Sequence, residues 1–133
     1  MTFADSSFWI AEALPRDRRH GEAAQLAVHH SGARLVTSNL VIGETWTFLR
    51  RRTGYRFAVS WLDTTWSYAH RLRVERIDSD LEDKAWTWLR VHDERPYSFV
   101  DATSFALMRS LRIRSALTFD GDFAAAGFVE LRA

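Results

Sequence analysis

The chain has no cysteine. Disulfide frameworks and thiolate–zinc centres are therefore excluded. Lysine is almost missing as well: of the 18 basic residues, all but Lys84 are arginine. Proline occurs only at positions 15 and 96, where it ends or kinks a helical stretch. No apolar run approaches the roughly 20 residues needed to cross a bilayer, so no membrane association is expected. The opening segment MTFADSSFWIAEAL has no basic n-region and carries Asp5 and Glu12, which makes it a poor signal peptide. These features together predict a cytoplasmic protein. A formal charge of +1 shows no surplus of either sign, so charge balance alone does not point to nucleic acid.

What is present fits one globular domain spanning 1–133, with 47% apolar residues for a core and 26% charged residues to cover it. The bias toward arginine suits bidentate contacts with phosphate or carboxylate, although genome composition produces the same bias.

Periodicity predicts an alternating chain. Thr2 to Asp5 reads as a first strand, and Ser6 or Ser7 as the cap of FWIAEAL. RDRRHGEAAQLAVHH reads as a second helix stopped near Gly32. Arg34 to Val36 is a short strand, followed by a long helix from about Asn39 to Arg52 that Gly54 ends. A further helix runs from Phe57 to about His70. Leu72 to Val74 is a strand, and Asp78 or Asp80 caps LEDKAWTWLRVHD. Tyr97 to Val100 leads into Asp101 and the helix ATSFALMRS. Ile113 to Thr118 is a strand, Asp120 to Phe128 a turn or short helix, and Phe128 to Leu131 an edge strand. The alternation predicts an α/β fold, a central and mainly parallel sheet of four to five strands with helices on both faces.

Glu44 is an anomaly within this pattern. Its neighbours at helical spacing are Leu40, Val41, Thr47 and Phe48, mostly apolar, so its carboxylate is expected to turn inward, where an unpaired charge is costly. Asp5, Asp101 and Asp120 follow apolar stretches that read as strand ends, with Asp122 two residues further on. In a parallel sheet the strand C-termini share one edge, where ligands bind. The four acids can therefore converge. Each also has a structural role open to it: helix capping for Asp5 and Asp101, a DGD turn for Asp120 and Asp122, and an arginine partner for Glu44.

Clustered carboxylates raise one another's pKa, and a divalent cation removes that penalty. Oxygen-only ligands favour Mg²⁺ or Mn²⁺ over zinc. His29 and His30 are adjacent and do not share a helix face, so they do not form a two-histidine site. Ser7, Ser104 and Thr118 are candidate orienting donors. Asn39 either contacts the acidic site or caps its helix.

Four stretches carry a resemblance: FADSSFWIA at 3–11, LVTSNLVIGETWTFLRRR at 35–52, YSFVDATSFALMR at 97–109 and ALTFDGDFAAAGF at 116–128. Together they resemble the PIN-domain ribonucleases, most closely the toxins of VapBC-type toxin–antitoxin pairs. The resemblance implies a three-layer α/β/α fold and an acidic cluster holding one or two Mg²⁺ or Mn²⁺ ions. By that likeness Asp5, Glu44, Asp101 and Asp120 are the metal-binding and catalytic acids, assisted by Asp122. Ser7, Asn39, Ser104 and Thr118 match polar positions around the site. The implied chemistry is hydrolysis of RNA by metal-activated water, giving 5′-phosphate and 3′-hydroxyl ends. Arg50, Arg51, Arg52 and Arg56 are candidate phosphate contacts, although arginine near a helix C-terminus is also favoured by the dipole. The family further implies a homodimer and a cognate antitoxin protein. The abundant aromatics allow both, since Trp86 and Trp88 cannot share a helix face. Two other readings fit the same residues: a PIN-type nuclease in RNA processing or on DNA, and a non-catalytic RNA-binding module.

Overall fold

The computed structural model describes residues 1–67 and 71–133. Strand β1 (Thr2–Ala4) leads into helix α1 (Ser6–Ala13) and α2 (His20–His29). Then come β2 (Leu35–Ser38), α3 (Asn39–Thr53) and α4 (Tyr55–Ser67). The chain continues through β3 (Leu72–Glu75), α5 (Ser79–Val91) and α6 (Phe99–Leu111). It finishes with β4 (Ser115–Leu117), α7 (Asp122–Ala125) and β5 (Val129–Glu130). The strands form one sheet in the order β3-β2-β1-β4-β5, and every pairing is parallel.

Strand alternation sends successive side chains to opposite faces. Phe3, Val36 and Ala116 join one apolar cluster with Leu81, Phe105 and Met108 from α5 and α6. Ala4, Leu35 and Leu117 join another with Phe8, Ala23 and Leu26 from α1 and α2. The result is the three-layer α/β/α arrangement. α3 is fixed by sequence at both ends. The Ser38 hydroxyl accepts the Val41 amide at 3.1 Å, and Gly54 closes the helix at φ 99°, ψ 172°. Val41, Ile42, Thr45 and Leu49 form its buried stripe.

Several expectations need correction. Asp5 itself caps α1, accepting the Ser7 amide, where Ser6 or Ser7 was expected. Asp17 turns the chain by accepting the Arg19 amide at 2.8 Å, so the second helix starts only at His20. α4 starts at Tyr55, directly after Gly54; its expected end at Tyr68 to His70 lies outside the described residues. Tyr97 to Val100 is not a strand. α6 follows α5 across a loop, so Asp101 is presented by a helix N-terminus. The two tryptophans do divide. Trp88 packs edge-on to Phe105 at 5.2 Å, while Trp86 is 47% exposed and stacked on Phe99 at 4.4 Å.

The Gly54 backbone lies in a region that is essentially restricted to glycine. Gly54→Ala should therefore cost about 1–3 kcal/mol, read as a lower urea midpoint at unchanged slope. An unchanged midpoint would contradict the strained cap.

Candidate active site

Parallel pairing of β1 with β4 places Asp5 and Thr118 side by side. The Asp5 amide donates to the Leu117 carbonyl at 3.0 Å, which fixes the end of β1. The Asp5 side chain is only 2% exposed. Its Oδ2 receives the Ser7 hydroxyl at 3.1 Å and the Thr118 hydroxyl at 3.0 Å. Ser7 Oγ in turn accepts the Phe119 amide at 3.0 Å. The Ser7 and Thr118 hydroxyls both act on Oδ2, and the Asp5 carboxyl also meets that of Asp120. Ser7 and Thr118 therefore sit as expected, orienting an acid.

Asp101 stands in the first turn of α6 in a reciprocal cap. Its Oδ2 accepts the Ser98 amide at 3.0 Å, and the Ser98 hydroxyl accepts the Asp101 amide at 3.0 Å. Its capping role and its position in the acidic cluster coexist. Asp120 lies beyond β4, where its Oδ1 accepts the Asp122 amide at 2.9 Å; Gly121 makes this turn at φ 79°. Asp101, Asp120 and Asp122 each offer a carboxylate oxygen within 4.8 Å of the others. Asp122 also accepts Arg95 Nε at 2.8 Å.

The crowding is visible in the proton affinities. Burial, then the charges of Asp120 and Asp101, push the Asp5 carboxyl from its ordinary 3.8 up to about 8. Burial, with Asp120 and Asp122 adding, raises Asp101 from 3.8 to about 6. Burial raises Asp120 as well. Glu44 is raised by burial and by the charge of Asp120, against the opposing effect of the Ser6 hydroxyl. Glu44 thus belongs to the same electrostatic cluster. A donor set made only of carboxylate oxygens, with four members raised toward protonation, suits a hard divalent cation.

Glu44 is not turned into the core. It stands on the exposed side of α3, with its carboxyl partly shielded at the wall of an open groove of about 850 Å³. Leu40, Phe48, Arg51, Arg52 and Phe99 line this groove with it. The apolar neighbours that made Glu44 anomalous are groove wall, and Phe48 is 39% exposed.

The other candidates separate. Asn39 is not the cap: its Oδ1 accepts the Ile77 amide at 2.8 Å, tying the segment after β3 to α3, and the residue lines the same groove as Glu44. Ser104 donates to the Val100 carbonyl of its own helix at 2.9 Å and makes no described bond to an acid. Arg50 lies over the Tyr55 ring at 5.6 Å, and neither it nor Arg56 lines the groove. Ser6, Ser98 and Arg95 were missed. Ser98-x-x-Asp101 is close to the sequence form of a capping box and could have been found. Nothing local marked Arg95, which meets Asp122 across 27 residues.

Two outcomes test this geometry. Because Asp5 and Asp101 bind protons more tightly in the folded chain than at their ordinary 3.8, the cation-free fold holds more protons than the unfolded chain between about pH 4 and about pH 8. Its stability should be highest at the acidic end and fall as pH rises through about 6 and about 8. Melting in EDTA should show Tm declining from pH 5 to pH 8, less so in Asp5→Asn; a rising Tm would contradict the assignment. Asn39→Ala should cost about 1–3 kcal/mol by orphaning the Ile77 amide, with catalysis by the folded fraction retained. Loss of turnover at full stability would place Asn39 in the site.

Comparison with known proteins bears on this geometry. Residues 2–129 match the family model of the PIN domain. The chain is 53% identical over 132 residues to the 23S rRNA-specific endonuclease VapC20 of Mycobacterium tuberculosis, strains CDC 1551 / Oshkosh and H37Rv. That match covers 99% of this chain and 98% of the relative. The crystal structure of M. tuberculosis VapC20, described as a sarcin–ricin loop cleaving toxin, is similar at a TM-score of 0.92 and 51% identity over 100% of both chains. A toxin–antitoxin complex from Klebsiella pneumoniae shares the fold at a TM-score of 0.66 and 15% identity, covering 94% of this chain and 91% of that one. With its fold, its converging acids and a family match along nearly the whole sequence, the chain belongs to the PIN-domain family.

Proposed function

We propose that this protein is a Mg²⁺- or Mn²⁺-dependent endoribonuclease that cuts the sarcin–ricin loop of 23S rRNA. It would be the toxin of a toxin–antitoxin pair and act in the cytoplasm, where ribosomes are found. The observation that carries the reading is the 53% identity over 99% of the chain to a relative named for 23S rRNA cleavage, joined to an acidic cluster able to serve that chemistry.

Asp5, Glu44, Asp101 and Asp120 would hold one cation directly or through water, with Asp122 beside them. When bound, the ion would lower the pKa of the attacking water and neutralise charge developing on the phosphoryl oxygens. The chain supplies the positioning. Ser7 and Thr118 lock Oδ2 of Asp5. Ser98 locks Asp101 in its cap. In the overall reaction a water oxygen bonds to phosphorus as the bond to O3′ breaks, leaving a 5′-phosphate and a 3′-hydroxyl.

The groove on α3 would guide the strand. Arg51 and Arg52 follow Glu44 by seven and eight residues, about 10–12 Å along the helix axis. They would hold a phosphate neighbouring the scissile one, while Phe48 offers an aromatic face between them. Arg50 and Arg56 lie off this line. Exposed Trp66, Trp86 and Tyr55 supply apolar surface for a second copy of the chain and for an antitoxin.

Intact ribosomes incubated with the protein and Mg²⁺ should show a single new 5′ end in 23S rRNA by primer extension, and EDTA should abolish it. Asp5→Asn and Asp101→Asn should each slow cleavage roughly a thousandfold, the scale of losing a positioned charge stabiliser. A folded protein that cuts no RNA would refute the reading. Arg51→Ala with Arg52→Ala should raise KM more than it lowers kcat. It should also flatten the plot of log affinity against log salt by about two, near one unit per lost phosphate contact.

A further inference from the structure

One acid of the cluster differs from the rest. The described side-chain bonds to Asp5, Asp101 and Asp120 come from neutral donors: two hydroxyls and an amide for Asp5, the Ser98 amide for Asp101 and the Asp122 amide for Asp120. Asp122 alone among them has a cationic partner in the described residues. Arg95, in the loop between α5 and α6, places Nε 2.8 Å from Asp122 Oδ1. The guanidinium lies against the DGD turn, with Nη2 3.4 Å from where a side chain on Gly121 would begin. Gly121 is required by its positive φ of 79°, while the guanidinium rests against it at ordinary contact distance.

We infer that Arg95 is the built-in counter-charge of Asp122, keeping that carboxylate from a second cation in the free protein and turning to phosphate when RNA arrives. The inference rests on the metal-dependent nuclease reading and deepens it. The guanidinium takes Oδ1 and leaves only Oδ2 for a metal, and its charge, this close, works against a divalent ion there. The acids divide into a set that needs an outside cation and one acid that carries its own. The contact is suited to exchange. Arg95 is 41% exposed and binds through Nε, leaving its two amino groups to accept the fork geometry of a phosphate. Asp122 is only 19% exposed and stays anchored at the start of α7. Once Arg95 swings to phosphate, Asp122 is freed at the moment when phosphate oxygens could complete a second ion's shell. Arg95 therefore acts on Asp122 in the free protein and on the substrate phosphate in the complex.

The test is Mn²⁺ binding to the full chain without RNA, by electron paramagnetic resonance and calorimetry, so that it does not depend on turnover. Wild type should bind one ion. Arg95→Ala should bind a second, or bind the first roughly tenfold more tightly, the scale expected for removing a unit charge near a divalent ion. Arg95→Lys should behave as wild type, and Arg95→Ala with Asp122→Asn should return to a single ion. With RNA, Arg95→Ala should lower kcat while its Mn²⁺ affinity rises, opposite movements that a general loss of structure does not produce. Unchanged stoichiometry and affinity in Arg95→Ala would overturn the role of Arg95 and leave the nuclease reading standing. No Mn²⁺ binding by wild type would overturn both.

Discussion

The structure is organised around a repulsion. Parallel pairing of β1 with β4 brings Asp5 and Thr118 to one sheet edge, and the turn after β4 carries Asp120 to the same place. The cap of α6 adds Asp101, and the outer side of α3 adds Glu44. Burial takes away the water that would otherwise screen these charges, so Asp5 is pushed to about 8 and Asp101 to about 6. Neutral hydrogen bonds from Ser7, Thr118 and Ser98 hold the carboxylates in place without cancelling their charge. Such a site is costly to fold around and rigid once formed. Both properties favour capture of a cation, because the ligands need little reordering and the binding energy offsets repulsion already present.

The division between what the sequence made legible and what it did not follows physical lines. Local signals survived. Gly54 and Asp78 mark helix ends, and the apolar residues of TFAD and ALTF mark strands buried on both faces. The strand order could not be read, since the adjacency of β1 and β4 is set by pairing across more than a hundred residues. Asp101 was assigned to a strand end because Phe99 and Val100 look like strand. The Ser98 cap overrode that propensity and started a helix. Glu44 shows the limit of periodicity in another form. Helical spacing correctly groups it with Leu40 and Phe48, but spacing says nothing about what that face meets. It meets a groove, so the charge that looked misplaced stands at a solvent boundary where it can ionise.

Asn39 and Ser104 teach the same lesson from the other side. Both lie near the cluster in sequence pattern, and each has its main polar contact with backbone: Ile77 for Asn39, Val100 for Ser104. A polar residue near a site is drawn first to the buried backbone groups it can satisfy, because leaving those unpaired costs about as much as a catalytic contact gains. Ser7 and Thr118 also reach an acid, because the end of β1 and the end of β4 both meet at Asp5; Ser7 Oγ accepts the Phe119 amide while its hydroxyl donates to Asp5.

The arginine excess resolves in a similar way. Arg19, Arg73, Arg95 and Arg132 are engaged with Glu22, Glu75, Asp122 and Glu130. Arg109 and Arg132 also cover aromatic rings. Each of these four ion pairs cancels its own charge. Arg51 and Arg52, like most of the arginines, are in no described ion pair; they are set apart by lining the groove, at the C-terminal end of the helix that carries Glu44 near its start. The helix dipole stabilises them there whatever the protein does. Their position also gives α3 a cationic end and an acidic end joined by one groove. An anionic strand is drawn to the arginine end in any case, and a cation at the acidic end would let a phosphate backbone gain at both. Under the proposed nuclease function the groove and the acidic cluster would work as one device.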